Sequence, residues 1–176
     1  IGTGRIHAQT TDLASAKIVC TEKNDPIILK AVTVLQEEIN KRSQIQLQVV
    51  KTWPKKVTTL LIVIGLEIKL TNYANQLTQL EITGKDGFKL LTLDDGKTIL
   101  VAGNDSRGVL YGVGKLLRSL EMESGQIVLS VALKISSTPK YPIRGHQLGY
   151  RPKTNAYDAW TVAQYDSYIR DLVVFG

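Results

Sequence analysis

The sequence predicts an α+β fold in which two helices pack on one face of a mixed β-sheet, followed by a separate strand–loop–helix unit. Two stretches place apolar residues at helical spacing, and each begins with an aspartate or asparagine suited to capping. Residues 59–64 are continuously apolar, which is typical of a strand buried on both faces. An Asp-Gly turn between two apolar runs at residues 87–102 indicates a hairpin. Elements of this kind stack in layers around one core.

The first helix follows a short apolar strand at residues 16–21 and is predicted from Pro26 to about residue 42. Asp25 is the expected N-cap, and Pro26 suits the first helical position because its missing N–H would have no partner there. Residues 45–52 then alternate between apolar and polar side chains, which indicates a half-exposed strand. The apolar face of the helix consists of Ile28, Val32, Leu35 and Ile39.

The middle of the chain holds the central strand and the hairpin. Residues 59–64 form the central strand, whereas residues 66–80 fit either a short helix or a loop. The hairpin at 87–102 turns at Asp94-Asp95-Gly96. The paired carboxylates of Asp94 and Asp95 are therefore explained by their place in the turn. Residues 126–135 are predicted to form one more strand.

The second helix is predicted over about residues 105–120, with Asn104 or Asp105 as its cap. Gly108 and Gly112 lie one turn apart within it. Because glycine lowers helix stability, two glycines on one face indicate that the helix backbone lies close to the sheet.

The chain divides at a linker that contains two prolines, residues 136–142. We expect residues 1–138 to form the α+β domain and residues 139–176 to begin another. A strand around 143–149, a polar loop and a helix that starts near Thr161 follow the linker. One such unit cannot bury both faces of its strand, which predicts that the chain is truncated. The alternative is that this strand and helix complete the first sheet.

Composition and charge restrict the possible partners. The 176 residues are 43% hydrophobic and 22% charged, as in ordinary folded domains. The net charge of +6 is scattered, and its densest clusters are only Lys41-Arg42 and Lys55-Lys56. We therefore expect no nucleic-acid partner, although a binder of anions or nucleic acid is the third interpretation. No apolar run reaches about eighteen residues, so we expect no membrane span. The chain starts at Ile1-Gly2, as a processed or trimmed product would, and this start is compatible with a removed signal peptide. We expect a secreted or periplasmic protein.

The sequence contains no motif for a metal or a cofactor, and we expect none. Its two histidines, His7 and His146, are far apart in the chain, which argues against a protein-only metal site. The loop from Gly103 to Gly108 lacks the lysine of a phosphate-binding loop, so a capping and packing role is expected. The only cysteine, Cys20, lies in an apolar run and is expected to be buried.

Residues 144–151, Arg-Gly-His-Gln-Leu-Gly-Tyr-Arg, contain the candidate binding residues. If this stretch is the first strand of a barrel, its carboxyl end faces the active site. Arg144, at the start of the strand, is expected to form a structural ion pair. Four side chains in this stretch are suited to hydrogen-bonding hydroxyls or a carboxylate. We therefore predict that substrate is bound by Arg151, His146, Gln147 and Tyr150.

Two stretches resemble known glycoside hydrolases. Residues 97–120, KTILVAGNDSRGVLYGVGKLLRSL, resemble a strand and helix of β-N-acetylhexosaminidases. In those enzymes the strand and helix belong to a small domain that precedes the catalytic barrel. Related small domains precede the barrel of α-glucuronidases. The Gly-x-x-Tyr-Gly pattern of that helix is matched by Gly108–Gly112. Residues 141–151, YPIRGHQLGYR, resemble the segment with a proline shortly before Arg-Gly that leads into the first barrel strand. Gly149 stands where hexosaminidases carry an aspartate, so the resemblance does not extend to N-acetylhexosamine specificity.

The resemblance implies a non-catalytic small domain followed by the truncated first β/α unit of a TIM barrel. The chain would then be the N-terminal accessory part of a glycoside hydrolase that acts on complex glycans, with its substrate bound through the missing barrel and its catalytic acids outside this chain. The fragment itself is expected to be inactive. The alternative is a free-standing carbohydrate-binding or protein-interaction module. The aromatic content is only 6%, and Trp53 and Trp160 are far apart in sequence. Both observations argue against a sugar-stacking surface.

Overall fold

A mixed sheet of six strands forms the centre of the computed structural model, which describes residues 10–81, 84–146 and 160–175. A second, three-stranded sheet is built from short strands. The strands and helices are β1 (Thr11–Asp12), β2 (Lys17–Val19), α1 (Pro26–Ser43), β3 (Gln48–Val50), β4 (Leu61–Leu66), α2 (Ala74–Leu77), β5 (Phe88–Thr92), β6 (Thr98–Gly103), α3 (Ser106–Ser119), β7 (Glu121–Glu123), β8 (Gln126–Leu129), β9 (Lys134–Ser137) and α4 (Val162–Phe175).

The main sheet has the strand order β3-β2-β4-β6-β5-β9. Strand β4 pairs in parallel with β2 on one side and with β6 on the other, as expected for the continuously apolar run. The hairpin adds β5 antiparallel to β6, and β9 pairs antiparallel to β5 at the edge. The half-exposed β3 forms the opposite edge. The prediction of a mixed sheet is confirmed.

Helices α1 and α3 pack on one face of this sheet, as the sequence predicts. The four apolar residues predicted for the face of α1 are all buried. The opposite face is covered by residues 67–77, which form two 3-10 turns and the single turn of α2. This is the stretch that fitted either a helix or a loop, and its Leu70 and Leu77 pack against strand residues such as Val63. Burial of apolar side chains on both faces therefore stabilises the sheet.

One expected strand is divided in two. Residues 126–135 were expected to be continuous, but β8 pairs with β7 and β1 in the small sheet, whereas β9 pairs with β5 in the main sheet. The backbone N–H of Leu133, in the connection, donates to Thr92 Oγ1 at 2.9 Å. The prediction of one strand is wrong because strand-like composition does not reveal which partner each half pairs with.

The end of the chain lies against the two long helices. Helix α4 packs on α3, where the Val174 backbone contacts Gly114, and Arg170 Nη1 lies 2.6 Å from Glu37 Oε2 of α1. Residues 143–146, the described part of the strand expected at 143–149, are not in a strand. The described residues therefore form an α+β domain with a mixed sheet and helices, and show no barrel unit.

Asp25 gives a testable link between sequence and fold. Its Oδ1 accepts hydrogen bonds from the N–H groups of Ile27 at 3.0 Å and Ile28 at 3.2 Å, and its Oδ2 accepts from the hydroxyl of Ser106 at the start of α3. We expect Asp25→Ala to lower the free energy of unfolding by about 1–2 kcal/mol, because the substitution removes both the cap and the link to α3. Urea unfolding measures the change.

Two further variants and the pH separate these contributions. Asp25→Asn keeps a capping side chain and is expected to cost less than Asp25→Ala. Ser106→Ala removes only the link between the helices.

The Ser106 hydroxyl lowers the pKa of Asp25, so this carboxylate contributes its full stabilisation above the unfolded pKa of about 4. The contribution is lost as the pH falls through the lower folded pKa. Equal stability of Asp25→Ala and the unsubstituted protein would contradict the assignment.

Candidate functional site

A buried carboxylate lies at the turn before β5. Asp86 has a backbone φ of 64°, a left-handed conformation that aspartate adopts more readily than most residues. Its backbone N–H donates to Asp105 Oδ2 at 2.8 Å, while Asp105 Oδ1 caps α3 by accepting from Gly108 N–H at 2.8 Å. Asp105 therefore holds the start of α3 and the Asp86 turn together. The expected capping role of the Gly103–Gly108 loop is confirmed.

Two arginines neutralise this carboxylate. Arg107 Nη2 and Arg144 Nη2 each lie 3.1 Å from Asp86 Oδ2. The Asp86 side chain is only 4% exposed, whereas the side chains of Arg144 and Arg107 are 24% and 47% exposed. A buried carboxylate needs such partners because the loss of its hydration is costly. The expectation that Arg144 forms an ion pair is confirmed, and its partner lies far away in sequence.

Tyr111 completes the arrangement, which we call the Asp86 cluster (Asp86, Arg107, Tyr111 and Arg144). The guanidinium of Arg144 lies 5.4 Å from the centre of the Tyr111 ring, within the range of a cation–π contact. Arg107 Nη2 donates to the Tyr111 hydroxyl at 3.1 Å, and this hydrogen bond raises the pKa of Arg107.

The Asp86 cluster joins the two motifs that carry the sequence resemblance. Tyr111 belongs to the Gly-x-x-Tyr-Gly segment of α3, and Arg144 belongs to the segment Pro142-Ile143-Arg144-Gly145. Gly108 lies so close to the Gly87 carbonyl oxygen that a side chain would collide with it. Neither Asp86 nor Arg107 lies in a recognisable binding motif, so sequence patterns do not single them out. Only the folded structure reveals them, because it brings both Arg107 and Arg144 to within 3.1 Å of Asp86.

One of the four predicted binding residues lies within the described structure. His146 is exposed, and its Nδ1 is in hydrogen-bond contact with the Tyr168 hydroxyl of α4. The two rings meet edge to face with centroids 5.6 Å apart. Gln147, Tyr150 and Arg151 lie outside the described residues, so their predicted role in substrate binding stays a prediction.

Trp160 lies in a cluster of three aromatic side chains, which the sequence analysis does not predict. Its ring lies 5.4 Å from Tyr165 and 5.3 Å from Tyr168, centroid to centroid. The separation of Trp53 and Trp160 in sequence was therefore a poor guide, because Trp160 finds its aromatic neighbours on α4. Trp53 contacts Tyr73 instead, at 5.8 Å.

A groove of about 430 Å³ lies next to the Asp86 cluster. It runs between the carboxyl half of α3, the end of α4 and strand β9, and we call it the α3–β9 groove. Its volume falls in the range of small-molecule sites. Its lining consists of Asp86, Phe88, Tyr111, Lys115, Arg118, Ile135, Ser136, Ser137, Pro139, Arg144 and Phe175.

Other kinds of site are not found in the part of the chain that the structure describes. Among residues 10–81, 84–146 and 160–175, no three His, Cys, Asp or Glu side chains come together as a group that could hold a metal ion. Within the same ranges no helix is both long and apolar enough to cross a membrane. Cys20 is buried, which raises the pKa of its thiol.

Several solved glycoside hydrolase structures share this fold. An inactive mutant of the GH20 exo-β-N-acetylglucosaminidase from Vibrio harveyi matches with a TM-score of 0.59 at 16% identity, over 94% of this chain and 21% of its own. A family GH115 4-O-methyl-α-glucuronidase with specificity for decorated arabinogalactans gives 0.54 at 20% identity, over 73% and 18%. CpGH84B gives 0.53 at 15% identity, over 94% and 32%. The chain thus spans only a fifth to a third of these proteins, and the likeness concerns the fold alone.

The sequence itself matches a defined family. No curated protein sequence matches the chain. The pattern described as the glycosyl hydrolase family 67 N-terminus matches residues 4–116, which is more than half of the 176 residues. The matched region contains all of α1, most of α3 and the Tyr111 side of the Asp86 cluster. The chain therefore belongs to the glycosyl hydrolase family 67 N-terminus family, an N-terminal accessory domain of glycoside hydrolases.

Proposed function

We propose that this chain is the non-catalytic N-terminal part of a glycoside hydrolase that degrades complex glycans. The observation that carries the proposal is the match of residues 4–116 to the family 67 N-terminus. In this proposal residues 1–138 form the accessory domain, and residues 139–176 lead into the first β/α unit of a TIM barrel. The catalytic acids then belong to later strands of that barrel, and the protein is exported to reach its glycan.

The contacts of residues 139–146 support a role in positioning a following domain. Arg144 is held by an ion pair to Asp86 at 3.1 Å and by the Tyr111 ring, so the segment leaving the domain is fixed on α3. Helix α4 is fixed on the same helix, where its Val174 carbonyl accepts from Arg118. Two contacts on one rigid helix would orient whatever follows, because relative domain motion is the default when few contacts cross a boundary.

Two measurements on the protein and its gene test this function. We expect the reading frame to continue past codon 176 with alternating strand and helix patterns. We expect the 176-residue chain to release no product from a panel of aryl glycosides, because in this proposal the pair of carboxylates that cleaves a glycosidic bond belongs to later strands of the barrel. Turnover that co-purifies with the chain and disappears on unfolding would contradict the proposal.

A free-standing carbohydrate-binding or protein-interaction module is the second candidate. The aromatic group of Trp160, Tyr165 and Tyr168 favours it, because amphipathic rings are frequent at binding surfaces. A stop codon directly after codon 176 would favour this module over the accessory domain of a longer enzyme. A continuous reading frame would favour the enzyme.

A further inference from the structure

A second groove, of about 580 Å³, lies where α4 meets the first turn of α1 and the first half of α3. We call it the α1–α4 groove. Most of its apolar lining comes from six side chains, one on α1, two on α3 and three on α4: Ile27, Leu110, Tyr111, Ile169, Leu172 and Phe175. The groove therefore has one wall on the accessory domain and the other on the segment after the linker.

The α4 wall of this groove exposes large apolar side chains. Ile169, Leu172 and Phe175 follow one another at a spacing of three residues, so they lie along one side of the helix. Ile169 is 55% exposed and Phe175 is 69% exposed, and Ile27 on the opposite wall is exposed as well. Contiguous apolar surface of this kind is costly to leave in water and is typical of a surface that packs against another polypeptide.

The α4 wall is nevertheless fixed in place. Gly114 of α3 lies so close to the Val174 carbonyl oxygen that a side chain at this position would collide with it, and Arg118 donates a hydrogen bond to the same oxygen. Arg170 pairs with Glu37 of α1. These contacts involve the side of α4 opposite to the apolar row, so they hold the helix and leave the row uncovered.

The lining favours an apolar polypeptide segment over a charged ligand. Arg107 and Arg144 also line the groove, but each already lies 3.1 Å from the carboxylate of Asp86, so neither needs an anionic ligand. A second copy of this chain is a poorer occupant, because chains with a net charge of +6 repel one another. A two-fold interface would also require a surface that is complementary to itself, which a concave groove is not.

We propose that the α1–α4 groove is the docking site for the polypeptide that follows residue 176 in the full-length protein. The proposal rests on the proposed function, in which the chain continues into a barrel, and it adds where the following part meets the accessory domain. Phe175 ends α4 and lines the groove, so a continuing chain emerges beside it. The length is available in related proteins, since this chain spans between 18% and 32% of the three glycoside hydrolases that share its fold.

The reaction of an introduced cysteine with iodoacetamide tests whether the groove is covered. The full-length protein, produced from its whole reading frame, is compared with the 176-residue chain, and mass spectrometry follows the modified peptide. We expect Ile169→Cys to react about tenfold more slowly in the full-length protein, because docking removes this side chain from solvent. The native Cys20 is buried and does not compete. The matched control is Ile68→Cys, at an isoleucine that is 82% exposed on the layer that covers the other face of the sheet, and it should react equally fast in both chains.

The outcomes that would overturn the proposal can be told apart. Equal rates for Ile169→Cys in the two chains would mean that the groove stays open, and would leave the proposed function intact. A reading frame that stops after codon 176 would overturn the proposed function and this proposal together. A rate that falls as the concentration of the 176-residue chain rises would assign the groove to a second copy of the chain instead.

The melting temperature of a charged variant gives an independent test. Ile169→Lys should leave the melting temperature of the 176-residue chain unchanged, because this side chain is more than half exposed there. In the full-length protein we expect a decrease of about 5 °C, since docking would bury an ammonium group without a partner. Ile68→Lys should change neither protein. An unchanged melting temperature of full-length Ile169→Lys would contradict the docking.

Discussion

Replacing Asp86 with asparagine is expected to lower the free energy of unfolding by about 2–3 kcal/mol. The substitution removes the negative charge that Arg107 and Arg144 share, and it places an amide donor opposite two guanidinium groups. Loss of one partner of a buried ion pair costs about 3–5 kcal/mol, and we expect the lower value because both arginines remain partly exposed to water. Asparagine tolerates the left-handed backbone of this turn, so the variant isolates the charge. Chemical denaturation measures the change.

A double-mutant cycle identifies the partner. Arg144→Gln should destabilise the unsubstituted protein but should have a smaller effect in the Asp86→Asn background, with a coupling of about 1–2 kcal/mol. The control is Glu123→Gln, an exposed carboxylate in β7 that should change stability by less than about 0.5 kcal/mol. Purely additive effects of Asp86→Asn and Arg144→Gln would mean that the ion pair does not fix the segment after the linker.

Gly108→Ala is expected to destabilise the domain by about 2–3 kcal/mol, although alanine favours helix formation over glycine by about 1 kcal/mol. The added Cβ would collide with the carbonyl oxygen of Gly87, a backbone atom that cannot turn away. Helix α3 would have to move, and with it the position of Arg107 relative to Asp86. Thermal unfolding measures the loss.

Gly112→Ala is the matched control for Gly108→Ala. A Cβ at residue 112 would lie 3.0 Å from Val101 Cγ1 and 3.3 Å from Phe88 Cβ, so these neighbours would have to move by only a few tenths of an ångström. The gain in helix propensity then offsets much of the strain, and we expect a change of less than about 1 kcal/mol. If Gly108→Ala were as stable as Gly112→Ala, the close approach of α3 to the Asp86 turn would not be required for the fold.

Local patterns predicted most of the helices and strands of the core. Asp25 and Asp105 are the observed caps of α1 and α3, because capping depends on a side chain and the amides two or three residues further along. The hairpin was equally predictable, since Gly96 adopts a φ of 63° in a turn that Asp-Gly favours. The resemblance carried by residues 97–120 correctly predicted the class of accessory domain, whereas the resemblance of residues 141–151 to the start of a barrel stays a prediction.

The candidate site was far less predictable. Of the residues expected to bind substrate, only His146 lies in the described structure, where it contacts Tyr168. The Asp86 cluster was missed except for the ion pair of Arg144, whose partner lies 58 positions earlier in the chain. No periodicity or motif connects residues so far apart.

The sequence by itself determined the helices, their caps, the buried central strand and the family, because each of these depends on residues that are near one another in the chain. Only the tertiary structure decided that residues 126–137 serve two different sheets, that α4 packs on α3, and that Tyr111 and Arg144 meet at Asp86. These features depend on which distant surfaces come together once apolar faces are buried. That choice is made by the packing of the whole core and is not encoded in any short stretch of the sequence.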